Sequence, residues 1–349
     1  MPEGKQVDPF FINKKDAFAN KINAKAYELY CQLRSLDISR LDTAPLYKDY
    51  FSKHHLGKRL FFSLQNSAHI IYNAVNKTSR PVMELTFIDY GAGLGTLFML
   101  AGKLGFKRMV YNDYFPEWHQ PAKALCTTLG IQIDDYVEGD IEAVTAYAAA
   151  RAIQLDIIAS RNVIEHIYSL PHFYQCIFEH NRHAVTYSTT TANFHNPVMR
   201  WYHIYVHKKW EKSTYRKQRM AEIKKMYPAT ADQQLAELSE LTRGKGLQEF
   251  TNAVHDLLAG KTIEKDRTLR SNSCDCITGV WNEHLLKKTD YAHIINSAGF
   301  KMDYTPGYWD THYGSAGFNI ATRLFNKLIS LLGNRGILLS PFVNVIAYN

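Results

Sequence analysis

Three glycines at alternate positions follow an apolar run that ends in an acid. The run LTFI leads into Asp89, and residues 90–96 read YGAGLGT. Glycine allows a tight turn and lets a ligand approach the main chain closely, while the N-terminus of a following helix offers unpaired N–H groups. The pattern therefore predicts a strand, a ligand-binding turn at Gly91, Gly93 and Gly95, and a helix, which together open a doubly wound α/β domain.

The spacing of the glycines narrows the ligand. A dinucleotide site uses G-x-G-x-x-G, so that a pyrophosphate sits on the helix N-terminus, whereas here the third glycine comes one residue early and Thr96 takes its place. The pattern acid-x-G-x-G-x-G resembles motif I of class I methyltransferases, which use S-adenosylmethionine (SAM). The resemblance implies that Asp89 and the three glycines contribute to a SAM site. A dehydrogenase or another nucleotide-binding protein with an NAD site stays the alternative.

Two further acids lie where such a domain would use them. Asp113 follows the short apolar run 108–112, roughly where the second strand of a βαβ unit ends, and a carboxylate there can accept both ribose hydroxyls. In the resemblance, Asp140 accepts the adenine amino group and Ile141 packs on the ring. An ordinary helix-capping or turn aspartate is the alternative for Asp113, and a generic Gly-Asp turn is the alternative for Asp140.

The segment 155–167 combines LDIIAS with RNVIEHI. It resembles the segment after the fourth strand of small-molecule methyltransferases, notably those of quinone biosynthesis. The resemblance places Asn162 beside the methionine part of SAM, although many relatives carry Glu there. Glu165 and His166 are candidates for a general base or for a residue that orients one. Alternatively, they begin a helix and hold the loop.

Candidate contacts to a methyl acceptor follow the fifth and sixth predicted strands. Ligands of open α/β sheets bind beyond the carboxyl ends of the strands, which draws attention to the residues after 184–190 and to the turn 305–314. From these segments and the aromatic stretch after residue 200, we expect substrate contacts at Thr189, Asn193, Tyr202, Trp309 and Asp310. An oxygen nucleophile also needs a base, and imidazole titrates near neutral pH. The candidate bases are His166, His195 and His312.

These motifs require a sheet that brings their strand ends to one edge. The sequence predicts an α/β fold with a doubly wound, mostly parallel seven-stranded sheet, and the resemblance implies an antiparallel last strand. The expected divisions are an N-terminal helical cap at 1–80, a SAM-binding Rossmann-like core at 81–192, a helical insertion at 193–270 and the completion of the sheet at 271–349. Apolar periodicity also predicts a helix over 283–298.

The positive charge of the chain is concentrated in one stretch. The net charge is +8, and 208–225 holds eight Lys or Arg against two Glu. The rest is nearly neutral, so a protein that coats nucleic acid is not expected. The basic stretch, interleaved with aromatic residues, could recognise an anionic small substrate, grip single-stranded RNA or form a solvated helix face. An RNA methyltransferase that uses 201–225, or a non-catalytic nucleotide-binding protein, therefore stays an alternative.

Composition excludes several other classes of protein. The five cysteines are scattered and odd in number, which indicates reduced thiols and a cytoplasmic protein and not a disulfide framework. No apolar run reaches the ~18–20 residues of a membrane span, and 1–10 lacks the apolar segment of a signal peptide. The spacing of His172, Cys176, His180 and His183 matches no strong zinc pattern, so no metal is expected. The oligomeric state is left open.

Missing motifs narrow the acceptor. After the predicted fourth strand the chain has no Asn/Asp-Pro-Pro-aromatic element, which amino-methylating DNA enzymes use to hold a flipped base. It also has no Pro-Cys nucleophile, which a C5-cytosine enzyme requires. The resemblance then implies SAM-dependent transfer of a methyl group to an oxygen or nitrogen of a small-molecule acceptor or biosynthetic intermediate. The basic stretch with its aromatic residues suggests that this acceptor is anionic or aromatic.

Overall fold

The computed structural model describes residues 10–263 and 271–349. The first nine residues of the predicted cap and residues 264–270 of the predicted insertion lie outside them. A single seven-stranded sheet forms the centre of the structure, in the order β3-β2-β1-β4-β5-β7-β6. The strands are β1 (Thr86–Tyr90), β2 (Arg108–Asp113), β3 (Asp135–Glu138), β4 (Ile157–Arg161), β5 (Val185–Thr190), β6 (Lys301–Pro306) and β7 (Val343–Tyr348).

Strand direction defines the fold. The pairs within β1 to β5 are parallel, whereas β7 runs antiparallel to both β5 and β6. The observed α/β architecture, a seven-stranded and mostly parallel sheet with an antiparallel last strand beside β5, confirms the predicted fold class. The strand order reverses between β1 and β4, which creates the crevice where ligands of such sheets bind.

Helices cover both faces of the sheet. Among the described residues they are α1 (Ala17–Ser35), α2 (Pro45–His55), α3 (Leu60–Thr78), α4 (Thr96–Ala101), α5 (His119–Leu129), α6 (Ile141–Ala150), α7 (Leu170–Asn181), α8 (Pro197–Trp210), α9 (Arg216–Met226), α10 (Asp232–Leu241), α11 (Leu247–Leu258), α12 (Lys288–Ser297) and α13 (Ala316–Leu332). No helix of these residues is long and apolar enough to cross a bilayer.

The two faces of the sheet bury separate apolar cores. Successive side chains of a strand point to opposite faces, so Phe87 packs into one core and Ile88 into the other. The first core also contains residues of α1 and α3, including Leu29 and Leu64. The N-terminal helices therefore share a core with the strands that carry the glycine turn.

The helix expected over 283–298 is shorter than predicted. The observed α12 begins at Lys288, because Lys287 and Asp290 form a capping box at its N-terminus. The preceding residues are held by other bonds: the His284 N–H donates to the Glu165 carbonyl at 2.6 Å. A tertiary contact therefore overrides the local helical pattern there.

The described part of the predicted insertion is mostly helical and packs around a small core that also includes Cys276. Residues Ile223, Leu235, Leu238, Phe250, Val254 and Cys276 form that core. Beside it lies a buried ion pair, because the fully buried Arg219 donates to the Glu211 carboxylate at 2.5 Å and to the Ser239 carbonyl at 2.9 Å. One cation of the basic run thus has a structural role.

We predict that Arg219→Ala destabilises the protein by about 3–5 kcal/mol, because it leaves the Glu211 carboxylate buried without its partner. Urea denaturation followed by circular dichroism measures the change. Lys217→Ala is the matched control, since Lys217 is an exposed cation on the same helix and should change stability by less than about 0.5 kcal/mol. Equal stability of the two variants would contradict the structural role of Arg219.

Candidate functional site

A cavity of about 480 Å³ opens at the carboxyl edge of the sheet. It lies where β1, β2 and β4 end, at the reversal of strand order, which is the usual ligand site of open α/β sheets. Its volume is within the range of small-molecule sites. The predicted cofactor residues in its wall are Gly91, Gly93, Asp113, Asp140, Ile141 and Asn162.

The glycine turn has the backbone that the sequence predicts, at two of its three glycines. Gly91 and Gly93 have φ values of +67° and +49°, which L side chains rarely adopt. A Cβ at Gly91 would lie 2.7 Å from the methyl groups of Val163, whereas a Cβ at Gly93 would meet open space. Gly95 instead caps α4 with an ordinary φ of −71° and does not line the cavity. Gly93 therefore presents bare main chain to the cavity.

Asp113 holds this turn in place. Its Oδ2 accepts a hydrogen bond from the Gly93 N–H at 2.8 Å, and its Oδ1 accepts one from the Phe115 N–H at 3.0 Å. Burial raises the pKa of Asp113, and the hydrogen bonds from these two backbone amides oppose the rise. An ionised carboxylate has about four lone-pair positions, so each oxygen keeps capacity for a ligand hydroxyl. Asp113 can thus hold the turn and contact a ligand.

Asp140 and Ile141 lie at the start of α6. Asp140 is exposed and caps the helix, since its Oδ1 accepts from the N–H groups of Glu142 and Ala143 at 3.1 and 3.3 Å. Asp140 therefore has a structural role at the start of α6, which the sequence did not predict. Ile141 is 3% exposed and offers an apolar wall beside this carboxylate. Together they make one end of the cavity apolar with an acceptor at its border.

Asn162 follows β4 directly and has an unusual backbone. Its φ is +55°, an uncommon value for a residue other than glycine, and its N–H donates to the Thr189 carbonyl at 2.8 Å. The side chain is exposed to the cavity. The neighbouring Arg161 points away from the cavity and donates to the Ser63 carbonyl and hydroxyl at 3.0 and 2.9 Å. Arg161 therefore anchors α3 to the end of β4.

Asp89 lies beneath the turn and does not line the cavity. Its carboxylate is 2% exposed, and its Oδ2 has no hydrogen-bond partner in the described part of the chain. Burial raises its pKa to about 8, opposed by an amide of α4 and by the charge of Arg161. Its position supports the turn from below.

His166 is the one predicted base that lines the cavity. Its Nδ1 lies 2.9 Å from the Trp281 carbonyl oxygen, which can only accept, so in the neutral ring Nδ1 carries the proton and Nε2 keeps its lone pair. Burial lowers the pKa of His166, and the carbonyls of Trp281 and Asn282 oppose this. The neutral ring that results can accept a proton near neutral pH.

The other two histidine candidates have partners outside the cavity. His195 Nε2 accepts the Lys288 N–H at 3.0 Å. The His312 ring packs on Phe61 with centroids 3.8 Å apart. The structure does not bring His195 or His312 to His166.

The predicted acceptor contacts also lie outside the cavity wall. Asn193 is buried and donates to the Ile337 and Ser340 carbonyls, both at 2.8 Å, and the Trp309 indole donates to the Leu339 carbonyl at 2.8 Å. These are contacts that hold loops. The structure places none of the five in the wall: Thr189, Asn193, Tyr202, Trp309 and Asp310.

Several wall residues carry no local sequence signal. Tyr50 of α2 and Trp118 pack together with ring centroids 4.9 Å apart, and both line the cavity. The opposite wall includes Tyr168, whose hydroxyl accepts the Gly246 N–H at 3.1 Å, and the segment 278–280. These residues come from four distant parts of the chain, so only the fold brings them together.

The charge of the wall is one-sided. Three carboxylates line the cavity, from Asp113, Asp140 and Glu142, and among the described residues of the wall there is no Lys or Arg. Seven aromatic side chains complete it: Tyr50, Tyr90, Tyr114, Phe115, Trp118, Tyr168 and Phe173. Carboxylates and aromatic faces both favour a cationic ligand.

One group of side chains has donor atoms that could hold a metal ion. Glu142, His172 and Cys176 place ligand atoms within 4.8 Å of one another. The His172 Nε2 lies 2.7 Å from Glu142 Oε1 on exposed side chains, which is a hydrogen bond at the surface. His180, also considered from the sequence, bonds instead to the Cys176 carbonyl at 2.9 Å.

Comparisons with known proteins give matches of low identity, all of them to solved structures. No protein-family model and no curated protein sequence matches the chain. A SAM-dependent methyltransferase structure from Clostridium acetobutylicum is 14% identical over 35% of this chain, with a TM-score of 0.28, and the match spans about half (48%) of that chain. One from Mesorhizobium loti is 12% identical over 80% of this chain and 98% of that chain, with a TM-score of 0.38. A Haemonchus contortus phosphoethanolamine N-methyltransferase in complex with SAM is 9% identical over 87% of this chain and 60% of that chain, with a TM-score of 0.37.

Stability should depend on pH through the buried carboxyl of Glu165, next to His166. Its carboxyl is 1% exposed and its Oε2 has no hydrogen-bond partner among the described residues. Burial raises its pKa from 4.5 to about 7, opposed by hydrogen bonds from its own backbone and from Thr190. Between these two values the folded state binds more protons than the unfolded state, so stability falls as the pH rises through this window.

We therefore predict that Glu165→Gln raises the free energy of unfolding at pH 8 by roughly 1–3 kcal/mol and has no such effect at about pH 3, well below 4.5, where the carboxyl is protonated in both the folded and the unfolded state. Urea titrations at the two pH values measure this. Glu117→Gln, at an exposed site, is the control and should leave the pH dependence unchanged. A Glu165→Gln gain of the same size at both pH values would reject the buried protonated carboxyl.

Proposed function

We propose that the protein is a SAM-dependent methyltransferase that transfers a methyl group to an oxygen or nitrogen of a small acceptor. The observation that carries the proposal is the cavity wall at the glycine turn, whose described residues include three carboxylates and no Lys or Arg. SAM has a net positive charge because of its sulfonium and amino groups. The wall complements that charge.

The same wall opposes a dinucleotide. The pyrophosphate of NAD is an anion and needs donors or cations around it. At about 6 Å and an effective dielectric near 20, one carboxylate repels a unit negative charge by roughly 3 kcal/mol and attracts a positive one equally. With the early third glycine, this favours SAM over NAD.

The wall residues suggest how the cofactor is held. Asp113 would accept hydrogen bonds from the ribose hydroxyls. It would use the lone pairs that its hydrogen bonds to the Gly93 and Phe115 amides leave free. Ile141 would pack on the adenine, with Asp140 as acceptor at its border. The bare main chain of Gly93 and the exposed Asn162 amide would contact the methionine part.

Catalysis would rest mainly on positioning. SAM supplies a methyl group on a sulfonium, which needs no further activation, and the chain has to hold the nucleophile in line with it. Well-oriented reactants can gain several kcal/mol in this way. For a hydroxyl nucleophile, the unprotonated Nε2 of His166 would accept the proton, while the Trp281 carbonyl fixes the ring.

The acceptor is better described as aromatic than as anionic. None of the basic residues of 208–225 lines the cavity, whereas seven aromatic side chains do. An anionic acceptor would find no cation in the described wall, and an aromatic or cationic one would find stacking faces. The basic run keeps exposed cations on the insertion, and these would matter for an RNA acceptor.

We predict that the protein binds SAM and that Asp113→Ala weakens this binding by about 1.5–3 kcal/mol, because hydrogen bonds to a charged group are lost. Isothermal titration calorimetry with SAM and with NAD measures the affinities. Glu117→Ala is the matched control, since it removes a nearby exposed carboxylate that is not part of the wall.

Protection against thermal unfolding by NAD and not by SAM would replace this proposal with a dinucleotide site. No binding of either cofactor would indicate a non-catalytic scaffold. Binding of SAM with unchanged affinity in Asp113→Ala would contradict the ribose contact alone.

The acceptor can be found by incubating the protein and labelled SAM with a cell extract and identifying labelled products by mass spectrometry. For a hydroxyl acceptor, we predict that His166→Gln lowers kcat by about 10²–10⁴-fold with little change in SAM affinity. In the unaltered protein, kcat/KM should fall on the acid side with a midpoint below 6.5, the ordinary value from which burial lowers the pKa of His166. The acid limb should be lost in His166→Gln. A limb that persists in the variant would assign the base elsewhere.

A further inference from the structure

Helix α13 turns its polar stripe toward the protein. The Asn326 side chain accepts the Trp309 N–H at 2.7 Å and donates to the Trp309 carbonyl at 2.8 Å. The Asn319 side chain makes the same pair of bonds with the backbone of Tyr313. Thr322 is buried on this side as well. Two side-chain amides therefore fasten the helix by its polar face.

The opposite face of α13 is apolar and exposed. At about 100° per residue, its large apolar side chains cover an arc of about 160°. Leu331 is 75% exposed and Leu324 63%. The exposed members are Phe318, Ile320, Leu324, Phe325, Leu328, Leu331 and Leu332. A helix on the surface of a globular protein normally has the reverse arrangement, so this face is suited to an apolar partner.

Basic residues border the arc. On the same helical wheel, Lys327 lies about 20° and Arg323 about 60° beyond the Ile320 side of the arc, and Arg335 follows the helix. No Asp or Glu occurs from residue 311 to residue 349. The face therefore combines large apolar side chains with basic side chains, and no acidic side chain accompanies them.

Helix α8 begins beside the segment that follows α13. Its N-cap Asn196 donates to the Ser340 carbonyl at 3.0 Å, which places the first turns of α8 beside the chain that follows α13. Trp201 and Tyr205 stack on each other and are 69% and 55% exposed. Residues 196–210 also contain no Asp or Glu.

We propose that the outer faces of α13 and α8 bind the surface of an anionic lipid bilayer. Leucines of an interfacial helix enter the boundary of the acyl chains, flanking Lys and Arg extend their charges to the headgroups, and Trp and Tyr favour that boundary. A symmetric contact with a second copy would place the cations of the two copies against each other. RNA binding would not account for the exposed apolar side chains of the arc. The proposal does not depend on the methyltransferase function.

Flotation with lipid vesicles tests it on the full chain. The protein should float with vesicles of phosphatidylcholine and phosphatidylglycerol, should bind pure phosphatidylcholine far less, and should be released from the anionic vesicles by salt. Leu331→Asp should weaken binding by about tenfold or more, because one leucine no longer enters the bilayer. Met83→Asp is the matched control: Met83 is 74% exposed and precedes β1, at the opposite edge of the sheet.

A second variant separates insertion from charge. The double variant Leu324→Lys with Leu331→Lys adds cations and removes leucines, so it should bind less than the unaltered protein if the leucines enter the bilayer. Stronger binding of this variant, equal loss in Met83→Asp, or no binding to anionic vesicles would overturn the proposal. A dimer in analytical ultracentrifugation that Leu331→Asp dissociates would assign the face to a second copy instead. Salt-sensitive binding of an RNA oligonucleotide that Leu331→Asp leaves unchanged, without vesicle binding, would assign it to nucleic acid.

Discussion

The site depends on two hydrogen bonds that the Asp113 carboxylate accepts from backbone N–H groups. One carboxylate oxygen holds the Gly93 amide and the other holds the Phe115 amide. The bonds fix the glycine turn of β1 to the end of β2, and the fit of Gly91 against Val163 fixes it to the segment after β4. Three strand ends are thus joined at one point, and the cavity opens there.

Around that point the structure keeps ionisable groups in apolar surroundings. Asp89 and Glu165 lie beneath the wall with raised pKa values, while the pKa of His166 in the wall is lowered. Burial is the leading cause in each case, because removal from water disfavours the charged form of each group. Burial therefore favours the neutral forms of Asp89, Glu165 and His166. The carboxylates that face the cavity could instead interact with a cationic ligand.

The sequence predicted the part of the site that local pattern encodes, whereas the candidates after the later strands lie outside the cavity wall. The strand, the glycine turn and Asp113 lie within one βαβ unit, so their spacing suffices to place them at one edge. Trp309, Asn193 and His195 also follow strand ends, yet their hydrogen bonds go to neighbouring loop and helix backbone. The edge of a seven-stranded sheet is wider than one ligand, and proximity to it does not select the residues of a single cavity.

What the sequence determined by itself is the α/β fold, the turn at Gly91–Gly93 and the acids that follow it, because strand burial, backbone freedom and short connections are local properties. The tertiary structure alone decided that Tyr50, Tyr168 and residues 278–280 complete the wall, that the basic run stays outside it, and that α13 faces outward with its leucines. Each of these depends on contacts between distant segments. The apolar periodicity of α13 was readable in the chain, but periodicity states only that a helix has two faces. The hydrogen bonds of the Asn319 and Asn326 side-chain amides determined which face meets the protein.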